Sequence, residues 1–271
     1  MKRTRAHVPR ARRDGLALGW LLPAATLLVI EALVAGGLVA ESSLPPPSRV
    51  VSTLMDLAQH DLHRHLIASV MRVLGGFAAG ASAAVMVGAL VGLNRTAERL
   101  LDPTFQALRA IPSLAWVPLM LLWLGIDEAP KLALIALGAF FPVYFTLVSG
   151  IRNVDRKLVE VGVANGLGRL GIVRRVLLPA ALPSLFTGLR AGLAMAWMFL
   201  VAAELIAATR GIGYLLTDGR ETGRPDIVLA AIVTLGGLGA LSDLVLRTIE
   251  HRTLHWRDVY SAPHQAGTGD E

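Results

Sequence analysis

Residues 66–93 read LIASVMRVLGGFAAGASAAVMVGALVGL, a run in which Arg72 alone is charged. About 20 mainly apolar residues suffice for a helix to cross the hydrocarbon core of a bilayer, so this stretch is long enough to span one. Gly76, Gly80, Ala84, Gly88 and Gly92 recur at every fourth position, which lines small residues along one ridge of the helix. Lipid tails give no hydrophobic force between helices, so association rests on close backbone approach. The ridge therefore predicts a neighbour packed tightly against it.

Working outward, five further segments have the length and apolarity of spans: Leu16–Ala40, Leu101–Leu124, Leu132–Ser149, Leu185–Ala208 and Ile227–Ile249. The expected fold is an all-α membrane protein with six transmembrane helices. The third span carries Arg109, Pro112 and Pro118, which predict a kink or an interfacial first part. Composition agrees. Hydrophobic residues make up 54% of the 271 positions and charged residues only 17%, against about 25% in soluble domains. Mean hydropathy is +0.57.

The net charge is +6. A basic balance can serve nucleic acid, but here Lys and Arg fall between apolar runs and not in one patch, so no nucleic-acid partner is expected. The pattern suits cytoplasmic loops under the positive-inside bias. With the N-terminus inside, the inner segments hold the basic cluster Lys2–Arg13, Arg95, Arg99, the run from Arg152 to Arg190, and Arg247, Arg252 and Arg257. The outer loops hold only Arg49, Arg64, Lys131, Arg210, Arg220 and Arg224. Both termini are thus predicted to be cytoplasmic, in a multi-pass membrane protein surrounded by lipid. The first apolar run is too long for a signal h-region of roughly 7–15 residues, and is read as a span that stays.

The chain is expected to divide into a basic cytoplasmic N-terminus (1–15), the first span with an outer amphipathic segment (16–64), a core of five spans (65–250) and a cytoplasmic tail (251–271). After the rigid Leu44-Pro45-Pro46-Pro47-Ser48 element, Val50, Val51, Leu54, Met55, Leu57 and Ala58 alternate with Ser52, Thr53, Asp56 and Gln59. This is either a short amphipathic helix lying on the outer face or an ordinary structured loop.

The stretch from Ile151 to Arg190 is too polar and too long for a simple hairpin. Asp155 can cap a helix over Arg156–Asn165, and Gly166 can take the left-handed conformation that ends it. A second short helix, Arg169–Leu177, is expected to stop before Pro179. Such a helix–turn–helix shelf could dock in a groove on a soluble partner and pass its movement to the spans.

Glu160, Gly166 and Val176-Leu177-Leu178-Pro179 resemble the EAA loop of ABC importer permeases: Glu-Ala-Ala, three residues, Gly, nine residues, Ile-x-Leu-Pro. The spacing matches throughout, with Val161 and Gly162 in place of the two Ala residues and Val176 in place of Ile. Ile111-Pro112-Ser113-Leu114-Ala115-Trp116-Val117-Pro118-Leu119, Leu122-Trp123-Leu124-Gly125, Gly188-Leu189-Arg190, Ala196-Trp197, Val201-Ala202-Ala203-Glu204 and Gly211-Ile212-Gly213-Tyr214-Leu215 resemble the nitrate, sulfonate and taurine branch. The resemblance implies a type I importer permease fold whose cytoplasmic loop holds a coupling helix. It also implies a homodimer of the permease, a cytoplasmic ABC ATPase subunit gripping the shelves, and a periplasmic solute-binding protein. The cargo implied is a small anion: aliphatic sulfonate first, then taurine or nitrate. On this reading Glu160, Val161, Gly162, Ala164, Gly166, Leu178 and Pro179 couple to the ATPase.

The sequence contains no G-x-x-x-x-G-K-[ST] phosphate loop, so nucleotide chemistry of that kind is assigned to another chain, and no cofactor is expected. Gly166–Gly171 fits G-x-G-x-x-G but lacks the strand and βαβ unit that a dinucleotide site requires. His60, His63 and His65 match no metal-ligand spacing, and with no Cys a metal site is not expected. Among ionisable residues in spans, which are costly to insert, Glu204 either lines the pathway or pairs across the dimer, or bonds to another helix or reaches the outer interface. Trp116 and Trp197 are candidate pathway residues, with belt or packing roles as the alternative. An anionic cargo would favour Arg72 or Arg190. An ion-gradient-driven secondary transporter is the competing class, but no internal repeat of the kind common there is visible, and it would leave the polar shelf unexplained.

Overall fold

The computed structural model describes residues 11–112 and 115–256, with side chains from residue 21 onward. The basic residues Lys2–Arg10, the motif residues Ser113 and Leu114, and the tail beyond residue 256 lie outside the described residues. Every regular element among the described residues is helical: α1 (Ala11–Ala35), α2 (Pro47–Gln59), α3 (Leu62–Leu93), α4 (Arg95–Ala110), α5 (Trp116–Leu124), α6 (Glu128–Arg152), α7 (Arg156–Ala164), α8 (Arg169–Ile172), a π-helical turn (Val173–Leu177), α9 (Leu178–Ala207), α10 (Ile212–Glu221) and α11 (Pro225–Thr253). Four helical stretches are long and apolar enough to cross a membrane: Leu62–Leu93, Glu128–Arg152, Arg169–Ile206 and Pro225–Thr253.

Two of the six expected spans come out differently. The first ends at Ala35, five residues early, because Gly37 takes φ +70, a conformation open to glycine and closed to most side chains. The expected third span is broken. Ile111 is extended at φ −72, ψ 126, as the residue before a proline must be, and α5 resumes only at Trp116. The expected helix over Arg169–Leu177 also fails to stop at Pro179. The chain passes through the π turn into α9 without a break. In that turn the Leu178 N–H bonds back five residues to Val173. The register has therefore already shifted where Pro179 would have lost an ordinary helical bond.

The described chain falls into two compact units. In the first, residues up to Arg72 and 200–237, the segment after the proline run is indeed a helix, α2, with Pro47 at its start, where a missing N–H costs nothing. Val50 and Thr53 face inward. Thr53 is buried and donates to Asp226 at 2.7 Å, while Val51 and Met55 are exposed. At the start of α2, Glu31 of α1 accepts from the Ser48 hydroxyl at 2.6 Å and the Ser48 N–H at 3.1 Å. The heart of this unit is Glu204, 1% exposed. It accepts from Arg72 at 2.7 Å, from the Ser69 hydroxyl at 2.8 Å and from the Gly213 N–H at 2.8 Å. Ser69 in turn accepts from the Ile212 N–H at 2.9 Å, and Arg72 also donates to the Arg210 carbonyl. His65 accepts from the Gly211 N–H at 3.1 Å and stacks on Tyr214. The α9–α10 turn is thus tied to α3 by side chains that the surrounding lipid could not satisfy. Gly211, at φ +136, lies so close to the Glu204 carboxylate that no side chain fits.

In the second unit, residues 73–199 and from 238 onward, α6 is the shared wall. The small-residue ridge of α3 lies on it. A Cβ on Gly76 would fall 2.6 Å from Ile135, one on Gly80 would strike the Ala136 carbonyl, and one on Gly92 would fall 2.8 Å from Ile151. Ala84 is fully buried beside Val143 and Tyr144. A second face of α6 takes α9. A Cβ on Gly188 would strike Thr146, one on Gly192 would fall 2.9 Å from the Ala139 carbonyl, and one on Gly138 of α6 would fall 2.6 Å from the Phe199 ring. Helix α4 docks on α6 through Phe105 against Tyr144 (centroids 4.8 Å apart), the Tyr144 hydroxyl on Asp102 (3.1 Å) and Arg152 with Glu98 (3.0 Å).

Two stability tests follow from these packings, both read by thermal unfolding in detergent. Gly80→Val is expected to destabilise the protein by roughly 1–3 kcal/mol or more, because the neighbour in the way is backbone. Gly75→Ala, five positions earlier on the same helix and meeting only the tip of Leu132 at 3.4 Å, is expected to be tolerated. Arg72→Met, which leaves Glu204 buried without its cation, is expected to cost about 3–5 kcal/mol. Adding Glu204→Gln should recover part of that loss, and strictly additive losses would contradict the pairing.

Candidate translocation cavity and coupling segment

The polar stretch folds as a compact two-armed element. The Asp155 carboxylate accepts from the Lys157 N–H at 2.9 Å and caps α7. At the other end Gly166 takes φ +75. Its N–H bonds to the Val163 carbonyl at 2.9 Å, and the Leu167 N–H bonds to the Gly162 carbonyl at 3.1 Å. This pair of bonds is the Schellman closure that a C-terminal glycine permits. Gly162 is buried, and its Cβ position lies 3.3 Å from Val176 and 3.6 Å from Leu167. The second arm therefore packs onto the first where α7 has no side chain. Two of the three departures from the EAA pattern, Gly162 and Val176, face each other here.

The rest of α7 is presented outward. Leu158, Val161 and Val163 are 50–60% exposed. Glu160 pairs with Arg156 at 3.0 Å, an exposed i,i+4 pair of small energetic weight. Ala164 is exposed at the end of the helix, and Leu178 and Pro179 open α9. Glu160, Val161, Gly162, Ala164 and Gly166 thus share one short capped helix, while Leu178 and Pro179 stand one element further on.

The pathway candidates are scattered. Glu204 is enclosed by its own bonds. Trp197 donates to the Ser242 hydroxyl of α11 at 3.0 Å and is half-buried. Trp116 stands on the wall of a cavity of about 590 Å³ in the second unit, a size ordinary for small-molecule sites. Arg109 and Ile111 at the broken span also line it. Helix α6 contributes Phe141, Phe145, Thr146 and Ser149, and α9 contributes Ser184, Thr187, Met195 and Phe199. Among the described residues the lining contains one cation and no carboxylate.

The two arginines that the sequence offered to an anion are both taken. Arg72 holds Glu204. Arg190 donates to Asp243 at 2.8 Å and lies 3.7 Å from Glu250. Arg109 was legible only as a charge in the expected third span, beside Pro112, with no role in binding. Its neighbours come from stretches up to 90 residues away, and no spacing rule joins them. Among the described residues no group of His, Asp and Glu could hold an ion. His60 bonds locally to the Asp56 carbonyl, which together with the Asp56 charge raises its pKa above the usual imidazole value.

Residues 66–255 match the family of binding-protein-dependent transport system inner membrane components. The chain is 40% identical over 253 residues to the protein named aliphatic sulfonates transport permease protein SsuC of Bacillus subtilis, covering 93% of this chain and 92% of that one. It is 36% identical over 262 residues to the taurine transport system permease protein TauC of Escherichia coli, covering 94% of each. Among solved structures, a chain of the MetNI methionine ABC transporter in an inward-facing conformation shares the fold. The TM-score is 0.62 at 21% identity, over 71% of this chain and 95% of that one. A transport component and not a catalytic enzyme, the chain belongs to the inner-membrane permeases of binding-protein-dependent ABC importers.

Proposed function

We propose that this chain forms the translocation pathway of an ATP-driven importer for small organic anions: aliphatic sulfonates first, with taurine or nitrate as the next choices. The substrate reading rests on the SsuC and TauC relatives and on a cavity whose described lining residues include one cation and no carboxylate. Six crossings are assigned to α1, α3, the broken pair α4–α5, α6, α9 and α11, with both termini and the α7 shelf in the cytoplasm. A second permease copy completes the pathway, a separate ATPase supplies the energy, and a periplasmic binding protein delivers the solute.

The observation that carries the mechanism is the construction of α7. Capped at Asp155, closed at Gly166 and backed by Val176, it is a short rigid body that exposes Leu158, Val161 and Val163. A lever must be stiff to transmit force, and it needs an unoccupied face to be gripped. Glu160, Val161 and Ala164 belong to that gripped surface in this reading, Gly162 and Gly166 shape it, and Leu178 and Pro179 join it to α9. Trp116 is assigned to the pathway wall. Trp197 supports α9 through Ser242, and Glu204 anchors the α9–α10 turn.

Three measurements test this. Proteoliposomes holding the chain with its ATPase and binding protein should accumulate ethanesulfonate only with ATP present; accumulation that persists without ATP and collapses with an uncoupler would favour the gradient-driven class. Glu160→Lys and Gly166→Pro should abolish pull-down of the ATPase while insertion into the membrane is kept, and normal pull-down by both would defeat the lever. Because the native chain has no Cys, a cysteine at Gly168, where a Cβ meets nothing within 4 Å, should react with an impermeant thiol reagent only from the cytoplasmic side. A cysteine at Ser52 should react only from the outside.

A further inference from the structure

Arg109 stands apart from the other membrane-embedded arginines. Arg72 and Arg190 are neutralised by carboxylates, whereas among the described residues no carboxylate pairs with Arg109. Its guanidinium carbon lies 4.8 Å from the centroid of the Phe145 ring. A cation–π contact of this kind positions the charge without using its N–H donors. Ser149, one turn further along the same face of α6, accepts from the Asn153 side chain at 3.0 Å and keeps its own hydroxyl proton to donate. Ser184, across the cavity on α9, makes no side-chain hydrogen bond to any described residue. Thr146 and Thr187 differ, since both donate to carbonyls of their own helices at 2.7 and 3.0 Å.

We infer that this cavity is a binding site for the cargo within the permease itself: Arg109, Ser149 and Ser184 hold a tetrahedral oxoanion headgroup, and Phe141, Met195 and Phe199 receive its apolar chain. The inference rests on the importer reading above and deepens it. Arg109 is exposed at the cavity, and a cation with no carboxylate beside it attracts an anion that enters there. The headgroup needs charge and free donors, which the Arg109 end supplies. The hydrocarbon needs a dry wall, which α6 and α9 supply where Phe199 fits over Gly138. The site would accept a sulfonate bearing a short alkyl chain and would favour it over a neutral molecule of the same size.

The test uses the complete transporter in proteoliposomes with ethanesulfonate as cargo. Arg109→Gln is expected to lower uptake about tenfold or more, the usual scale for losing one charge-assisted hydrogen bond. Arg109→Lys should keep most of the uptake. The pair Ser149→Ala with Ser184→Ala should raise the half-saturating concentration several-fold. Uptake by Arg109→Gln within about twofold of the parent would overturn the assignment. A second measurement leaves Arg109 in place, in case its replacement fails to assemble. A cysteine at Met195, on the cavity wall, should be protected from a thiol reagent by ethanesulfonate but not by dimethyl sulfone at the same concentration; equal labelling would overturn the site. If the unaltered transporter moves no organosulfonate with ATP, the importer reading fails by itself, while protection at position 195 still reports whether an anion binds here.

Discussion

The backbone of α6 is approached from two sides at distances that admit no side chain, and the second unit depends on that approach. Gly76, Gly80 and Gly92 of α3 lie against one face, and Gly188 and Gly192 of α9 against another. In water such contacts would add little to the burial of larger groups. In lipid, where expelling apolar surface gains nothing, dispersion between closely fitted backbones is what remains. Everything proposed for transport hangs on this wall. Helix α6 carries Phe145 beneath Arg109, supplies half of the cavity lining, and runs directly into the polar stretch that holds α7.

The first unit is held by a different force. Its centre is a carboxylate with no exposed surface whose oxygens accept from an arginine, a serine and a backbone N–H. An ion pair taken out of water gains from mutual attraction only if its remaining hydrogen-bonding capacity is also met. Here Ser69 and Gly213 meet it, and Ile212 and Arg210 extend the network into the α9–α10 turn. The result is a fixed corner where the chain leaves one long helix and enters a short one.

What could be read from the sequence follows the range of the interaction. The four long spans α3, α6, α9 and α11, the glycine ridge on α3, the Asp155 cap and the left-handed Gly166 are set by residues within a turn or two of each other, and each is where its spacing puts it. The interruption at Ile111–Ala115 was signalled by Pro112, but its depth was not. Helix α10 went unread, because ten residues with Asp218, Arg220 and Glu221 among them look like a polar loop until Glu204 fixes their start. The pairings of Thr53 with Asp226 and of Arg72 with Glu204 join residues 173 and 132 positions apart, and no local rule brings them together. For the same reason the cavity had no signature, since α4, α6 and α9 each give it a few unremarkable side chains.

The π turn at Val173–Leu177 bears on the wall just described. One residue more than an α-helical register needs is accommodated there, so the angular setting of α9 is fixed by a surplus position and not by an unbroken helix. Removing a single residue from the turn would rotate everything beyond it by about 100°. Gly188 and Gly192 would then point away from α6, and bulkier neighbours would be driven toward it. The length of that short turn, more than its side chains, decides which stripe of α9 meets the wall.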